Sequence, residues 1–120
     1  MNSDDFKKRT KAFSIRVVKL VESLPRVKAA DVMGRQLLRS ATSVGANYRA
    51  ACRSVSKAAF IAKMAIVEEE CDESIYWMEL LVETGLVKET LLESLIREAD
   101  EILSMVVASL KTARLTKGKS

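Results

Sequence analysis

Arg35, Arg39, Arg49 and Arg53 recur at helical spacing, and Lys57 follows one turn further on. At about 100° per residue the four arginines lie along one side of a helix. A guanidinium is a planar fork of donors that can meet two phosphate oxygens at once. Four of them on one face is chemistry suited to the backbone of a polyanion. No acid occurs between Asp31 and Glu68, whereas a solvated helix face ordinarily interleaves both signs to gain small pairings. The same stretch carries an apolar stripe, Met33, Leu37, Ala41, Val44, Tyr48 and Ala51, roughly opposite the arginines. A small polar seam of Gln36, Ser40, Ser43 and Asn47 runs alongside and suits a close helix–helix or subunit contact.

Other chemistry is poorly represented. The chain has no histidine, which removes Ser-His and Cys-His nucleophile pairs and the Glu-x-x-His ligands of di-iron bundles. The run EEECDES places Glu69 and Glu73 one turn apart, but its acids spread around the helix. Neither a metal nor any other cofactor is expected. Cys52 and Cys71 match no metal spacing, and Cys71 continues the apolar series Phe60, Met64, Val67 as a small core hydrophobe. Tyr48, Tyr76 and Trp77 have faces on which bases can stack, although core or interface packing is the more economical reading. No Gly-rich phosphate loop and no DNA-reading motif is present. No constellation of catalytic groups stands out, so the chain does not read as an enzyme.

The elements that must position these residues are helices. The chain has 120 residues, one Pro and four Gly, and it is rich in Ala, Leu, Glu, Lys and Arg. A first helix starts near Ser3 or Asp4, with either as cap, buries Phe6, Phe13, Val17, Leu20, Val21 and Leu24, and stops at Pro25. Arg26 to Ala30 connects it to a second helix capped by Asp31, which ends between Ala50 and Val55. A third helix, capped by Ser54 or Ser56, runs to Glu83, with Gly85 suited to a left-handed cap. A fourth runs from about Lys88 to Ala113. The fold class is all-α, an antiparallel up-down-up-down four-helix bundle, with one domain over 1–115 and a polar tail over 116–120. Leu38, Ile61, Ile66, Trp77, Leu80 and Val82 fall beside the main core lines, which suggests a second buried surface and a homo-oligomer. No apolar run is long enough to span a membrane and no signal peptide is visible, so a cytoplasmic protein is expected.

Charge is segregated along the chain. Residues 1–63 hold fourteen Lys or Arg against four acids, and residues 64–110 hold two against twelve. Two readings compete. The basic half can face RNA or DNA, each phosphate contact releasing counterions, with Arg35, Arg39, Arg49, Arg53 and Lys57 as contacts and the first-helix lysines in support. Alternatively it pairs with Glu68, Glu69, Glu70, Asp72 and Glu73, within the chain, in a neighbouring subunit or in a partner protein, as an oligomeric interaction scaffold.

The segment Leu38 to Val44 together with Asn47 resembles a known family. Small four-helix bundle proteins encoded in the intervening sequences of 23S ribosomal RNA genes carry the pattern Gln-x-x-Arg-Ser-Ala-x-Ser-Ile/Val-x-x-Asn in their second helix. Here it is Gln36, Arg39, Ser40, Ala41, Ser43, Val44 and Asn47, followed by a Ser/Arg-rich turn and a helix opening with Ala59-Phe60-Ile61. The similarity extends from Phe6 to the last helix. Where the family often continues with an apolar residue, Ala, Glu and Gly, this chain has Tyr48, Arg49, Ala50 and Ala51, so an acid and a glycine are absent and an arginine is gained. The resemblance implies a bundle that assembles into a ring-shaped homopentamer. A similar fold serves as the accessory protein of diversity-generating retroelements, which implies nucleic acid and a reverse transcriptase as partners.

Overall fold

The computed structural model describes residues 2–116. Four helices follow one another: α1 (Ser3–Glu22), α2 (Lys28–Cys52), α3 (Lys57–Glu83) and α4 (Glu89–Leu115). No strand occurs among the described residues. Short connections force each helix back along its predecessor, and the neighbours in space are α1–α2, α2–α3, α3–α4 and, over a shorter stretch, α1–α4. The result is a rod of 51 × 21 × 19 Å, as expected for helices of about 27 residues rising about 1.5 Å per residue. Of the 116–120 tail only Thr116 is among the described residues.

The core is the set of apolar stripes read from the sequence. Phe6, Phe13 and Val17 of α1 meet Leu37, Ala41, Val44 and Tyr48 of α2, Met64, Val67, Cys71, Ile75, Met78 and Leu81 of α3, and Leu92, Leu95, Ala99, Ile102, Val106 and Leu110 of α4 in one cluster. Phe6 and Tyr48 pack edge to face, with ring centroids 4.7 Å apart, a geometry that sets a positive ring edge against a negative ring face. Tyr48 is thereby a core residue, 4% exposed. Burial raises its phenol above the usual range. Of the six flanking residues, Ile61, Trp77 and Val82 pack partly buried against the core, as the edge of a broad stripe.

Two helix starts differ from the sequence reading. Asn2, and not Ser3 or Asp4, caps α1: its Oδ1 accepts from the N–H groups of Asp4 and Asp5 at 2.8 and 3.1 Å. The preceding Asn has the extended backbone that a cap needs, so the two acids fall in the first turn, where the helix dipole favours them. Asp31 does not cap α2. The helix begins at Lys28 with Val27 in the cap position and no side-chain bond there. Asp31 sits in the first turn and its carboxylate goes to Arg35 at 2.7 Å. At the remaining ends the structure follows the sequence. Ser56 caps α3 by accepting from the Ala59 N–H at 3.1 Å, and Gly85, with φ +76°, takes the left-handed position that ends α3.

Two glycines of α2 let α1 close on it. A Cβ on Gly34 would meet Leu24 Cδ1 at 2.8 Å, and one on Gly45 would touch Thr10 at 3.4 Å. Thr10 itself is buried, its hydroxyl donating to the Lys7 carbonyl at 3.1 Å.

Leu37 is fully buried at the centre of α2. Leu37→Ala is expected to cost about 2–5 kcal/mol in urea unfolding, through lost transfer energy and a cavity, whereas Val55→Ala, at 98% exposure, should stay within about 0.5 kcal/mol.

Candidate functional site

The arginine stripe of α2 does not behave as one unit. Its N-terminal half is compensated inside the chain. Arg35 pairs with Asp31, and Arg39 reaches across to α3, where Nη1 lies 3.2 Å from Glu70 Oε2 and Nη2 bonds Glu73. Glu73 also accepts from the indole N–H of Trp77 at 3.0 Å. The Trp77 N–H foremost, supported by the Arg39 guanidinium, holds the Glu73 carboxyl below its ordinary range against the opposing effect of burial. The carboxylates in turn hold the Arg39 charge in place.

The C-terminal half is uncompensated. Arg49 and Arg53 are exposed, and neither makes an ion pair among the described residues. With Lys7, Lys8 and Lys11 of α1 they line a groove of about 460 Å³ whose floor is Ser14, Thr42, Gly45 and Ala46. Its floor exists because Gly45 and Ala46 present almost no side chain while Thr10 closes against Gly45. Lys7 and Lys8 each stand three or four residues from Lys11, and Arg49 stands four from Arg53, hence roughly 5–6 Å between the Cβ atoms of these pairs. The lining has five cations and no carboxylate.

Lys57 stands apart from this groove. It is half-buried and its ammonium donates to the Thr116 carbonyl, tying the start of α3 to the end of α4. The polar seam is a packing device at one position. Ser40 and Ser74 are buried with their hydroxyl oxygens 3.0 Å apart, and each also reaches a carbonyl of its own helix, Leu37 at 3.2 Å and Glu70 at 2.8 Å. Ser43 and Asn47 are half-buried, the Asn47 amide donating to the Ser43 carbonyl at 2.9 Å. Gln36 accepts from Arg39 Nε at 3.4 Å.

Two features escaped sequence reasoning. Arg9 of α1 crosses to α4, with Nε 2.8 Å from Glu98 and Nη2 2.7 Å from Glu101, and these carboxylates strengthen its hold on the proton. Nothing in the basic run Lys7-Lys8-Arg9 marks the middle member as the one turned to α4. The groove also needs Lys7, Lys8 and Lys11 to face Arg49 and Arg53 across the α1–α2 seam, a rotational setting that the up-down topology alone does not specify. No group of acids, cysteines or histidines with metal-holding geometry occurs among the described residues.

A family model described as 23S rRNA-intervening sequence protein matches residues 3–108. The chain belongs to that family. Among solved structures, the chain is similar to a protein of unknown function from the S23 ribosomal protein family of Bacteroides thetaiotaomicron, with 35% identity and a TM-score of 0.85 over 92% of this chain and 99% of that one. Comparison with curated proteins yields no match. In this 23S rRNA-intervening sequence protein, Arg39 and Ser40 are the members of the Gln36–Asn47 pattern that join α2 to α3. Arg49, at the point of departure from the family's usual continuation, lies in the groove.

Two measurements probe these environments. Because the Glu73 pKa is depressed on folding, its contribution to stability is present above the unfolded carboxylate value of about 4.5 and fades as pH falls through the folded value. Glu73→Gln is therefore expected to destabilise the protein at pH 7, and the deficit to shrink progressively below about pH 4.5 in urea melts. Burial pushes the Cys71 thiol up to about 12, while Cys52 is only half-buried. A disulfide reagent at pH 8 should titrate one thiol of the native protein quickly and the second only on unfolding.

Proposed function

We propose that this protein is a non-enzymatic, homo-oligomeric bundle that binds nucleic acid through phosphate contacts in the α1–α2 groove. The observation that carries the reading is the cluster of Lys7, Lys8, Lys11, Arg49 and Arg53 around a floor of small residues, with no acid in the lining. Fixing five like charges together opposes folding through self-repulsion. A phosphodiester backbone relieves that repulsion and releases counterions as it docks. The floor offers little hydrogen-bonding apparatus for base edges, so contacts of this kind position a strand without reading its sequence.

Within this reading the stripe divides its labour. Arg49 and Arg53 contact the ligand, whereas Arg39 holds α2 to α3 and Arg35 serves mainly its own helix. The fold's membership in a family named for 23S rRNA genes is a statement about gene location and adds nothing to the choice between RNA and DNA. The homo-oligomer, with a reverse transcriptase among candidate partners, follows from the sequence resemblance.

A second reading, an interaction scaffold, is favoured by one observation. Glu69 and Asp72 on α3 are exposed and make no ion pair among the described residues. They present acids that a neighbouring copy's groove, or a basic partner, can meet.

Nucleic-acid affinity should fall steeply between 50 and 200 mM salt, with a slope near −0.9 per phosphate contacted on duplex DNA, about −4 if all five cations engage. The double variant Arg49→Glu/Arg53→Glu should lower that slope by about 2, measured by fluorescence anisotropy. Salt-independent binding, or unaltered binding by the double variant, rejects the phosphate reading. An oligomer that dissociates at high salt in light scattering, with no nucleic-acid affinity, establishes the scaffold instead.

A further inference from the structure

The groove is one part of a larger charged surface. Antiparallel packing brings the N-terminal ends of α1 and α3 and the C-terminal ends of α2 and α4 to the same end of the rod. Residues 2–8, 47–67 and 103–116 form that end. They carry eight Lys or Arg against two acids, Asp4 and Asp5, while the rest of the described chain carries ten against fourteen. The sequence-level split between a basic first half and an acidic second half thus becomes a separation along the 51 Å axis of the rod. Helix dipoles do not produce it: two N-termini and two C-termini meet at each end and their partial charges oppose one another. Side chains alone set the sign.

Beyond the groove, this basic pole contains Lys63 on α3 and Lys111 and Arg114 on α4. None of the three makes an ion pair among the described residues, and Lys111 and Arg114 are exposed. Positive charge therefore surrounds the end of a bundle whose cross-section is 21 × 19 Å. A duplex carries one negative charge per about 1.7 Å of its axis, counting both strands, so a length equal to the pole's width holds on the order of ten phosphates. A single strand offers about half that density. It compensates in proteins that bind it by stacking bases on exposed aromatic rings. The pole offers no fully exposed ring. Phe6, Phe13 and Tyr48 are buried, Phe60 is half-buried and packs on the core, and the exposed ring of Tyr76 lies towards the other end, beside Trp77 on the acidic α3.

We infer that the phosphate-binding surface extends from the α1–α2 groove around the basic pole to Lys111 and Arg114, and that it selects double-helical nucleic acid over single strands. The inference rests on the phosphate reading of the groove and adds the ligand's form and the part played by α4. Charge density, with no stacking surface, makes the choice: each neutralised phosphate contributes, and a duplex supplies more of them within the pole's reach. Shape and backbone are recognised, so DNA and RNA duplexes both qualify.

The test is a set of anisotropy titrations at 100 mM salt, using a 20-base-pair DNA duplex, a 20-base-pair RNA duplex and each constituent single strand of unstructured sequence. The proteins are the wild type, Arg49→Glu/Arg53→Glu and Lys111→Glu/Arg114→Glu, the exposed positions being chosen to leave the core intact and thermal melts checking the fold. The wild type should bind the duplexes at least about tenfold more tightly than the strands. The α4 variant should lose about tenfold or more on duplex and lower the salt slope by about 2. Single strands binding as tightly as duplexes, or an α4 variant that binds duplex as the wild type does while the α2 variant fails, overturns this inference and leaves the groove reading standing. Binding to none of the six probes overturns both.

Discussion

Where α1 crosses α2, Gly45 lies against Thr10 with room for no more than a Cβ between them. The rest of the molecule's surface depends on that contact. A larger side chain at either position would push the helices apart, lift the floor at Gly45 and Ala46, and separate Lys7 and Lys11 from Arg49 and Arg53. Close approach of two basic helices is electrostatically unfavourable, and what drives it is apolar: Phe6, Phe13 and Val17 are almost completely buried on the far side of α1. Burial at about 25 cal/mol per Å² of apolar surface outweighs repulsion between solvent-exposed charges, which water and salt screen. The core thus holds together a surface that the charges by themselves would disperse.

The acids of the second half have specific places. Glu70 and Glu73 take Arg39, and Glu98 and Glu101 take Arg9. Both clusters join different helices, α2 to α3 and α1 to α4, and both are less exposed than Arg35–Asp31 and Arg97–Glu93 within single helices, which makes them more useful for fixing helix register. The buried hydroxyl pair Ser40–Ser74 adds a polar contact at the α2–α3 seam, where two hydroxyl protons have three acceptors within reach, the Ser40 oxygen and the Leu37 and Glu70 carbonyls, so little is lost by burying it. What remains after these pairings is unpaired positive charge at one end of the rod, with unpaired acids such as Glu69 and Asp72 further along α3.

Membership in the 23S rRNA-intervening sequence family and the likeness to the Bacteroides thetaiotaomicron structure account for the fold. The residues of the family pattern serve mainly that purpose here: Ala41 and Val44 lie in the core and Arg39 and Ser40 bridge to α3. Arg49 and Arg53 lie just beyond the pattern. The unpaired cations that α2 contributes to the α1–α2 groove therefore follow the Gln36–Asn47 pattern in the chain.

The sequence by itself determined the four helices, the left-handed stop at Gly85 and nearly every core position, and it narrowed the α3 cap to Ser54 or Ser56, because helical periodicity and capping are local and repeat every three or four residues. It missed Asn2 and Val27 as the helix starts, since several adjacent polar residues can serve as caps and an apolar residue can fill the position without one. It also established that positive and negative charge are separated along the chain. Only the tertiary structure decided which charges cancel. Arg35 and Arg39 are indistinguishable from Arg49 and Arg53 on a helical wheel. One pair lies near Asp31, Glu70 and Glu73, and the other faces the lysines of α1. The Asp31–Arg35 pair is one turn of α2, but the fates of Arg39, Arg49 and Arg53 depend on residues far apart in the chain, and Coulomb interaction acts on distance in space.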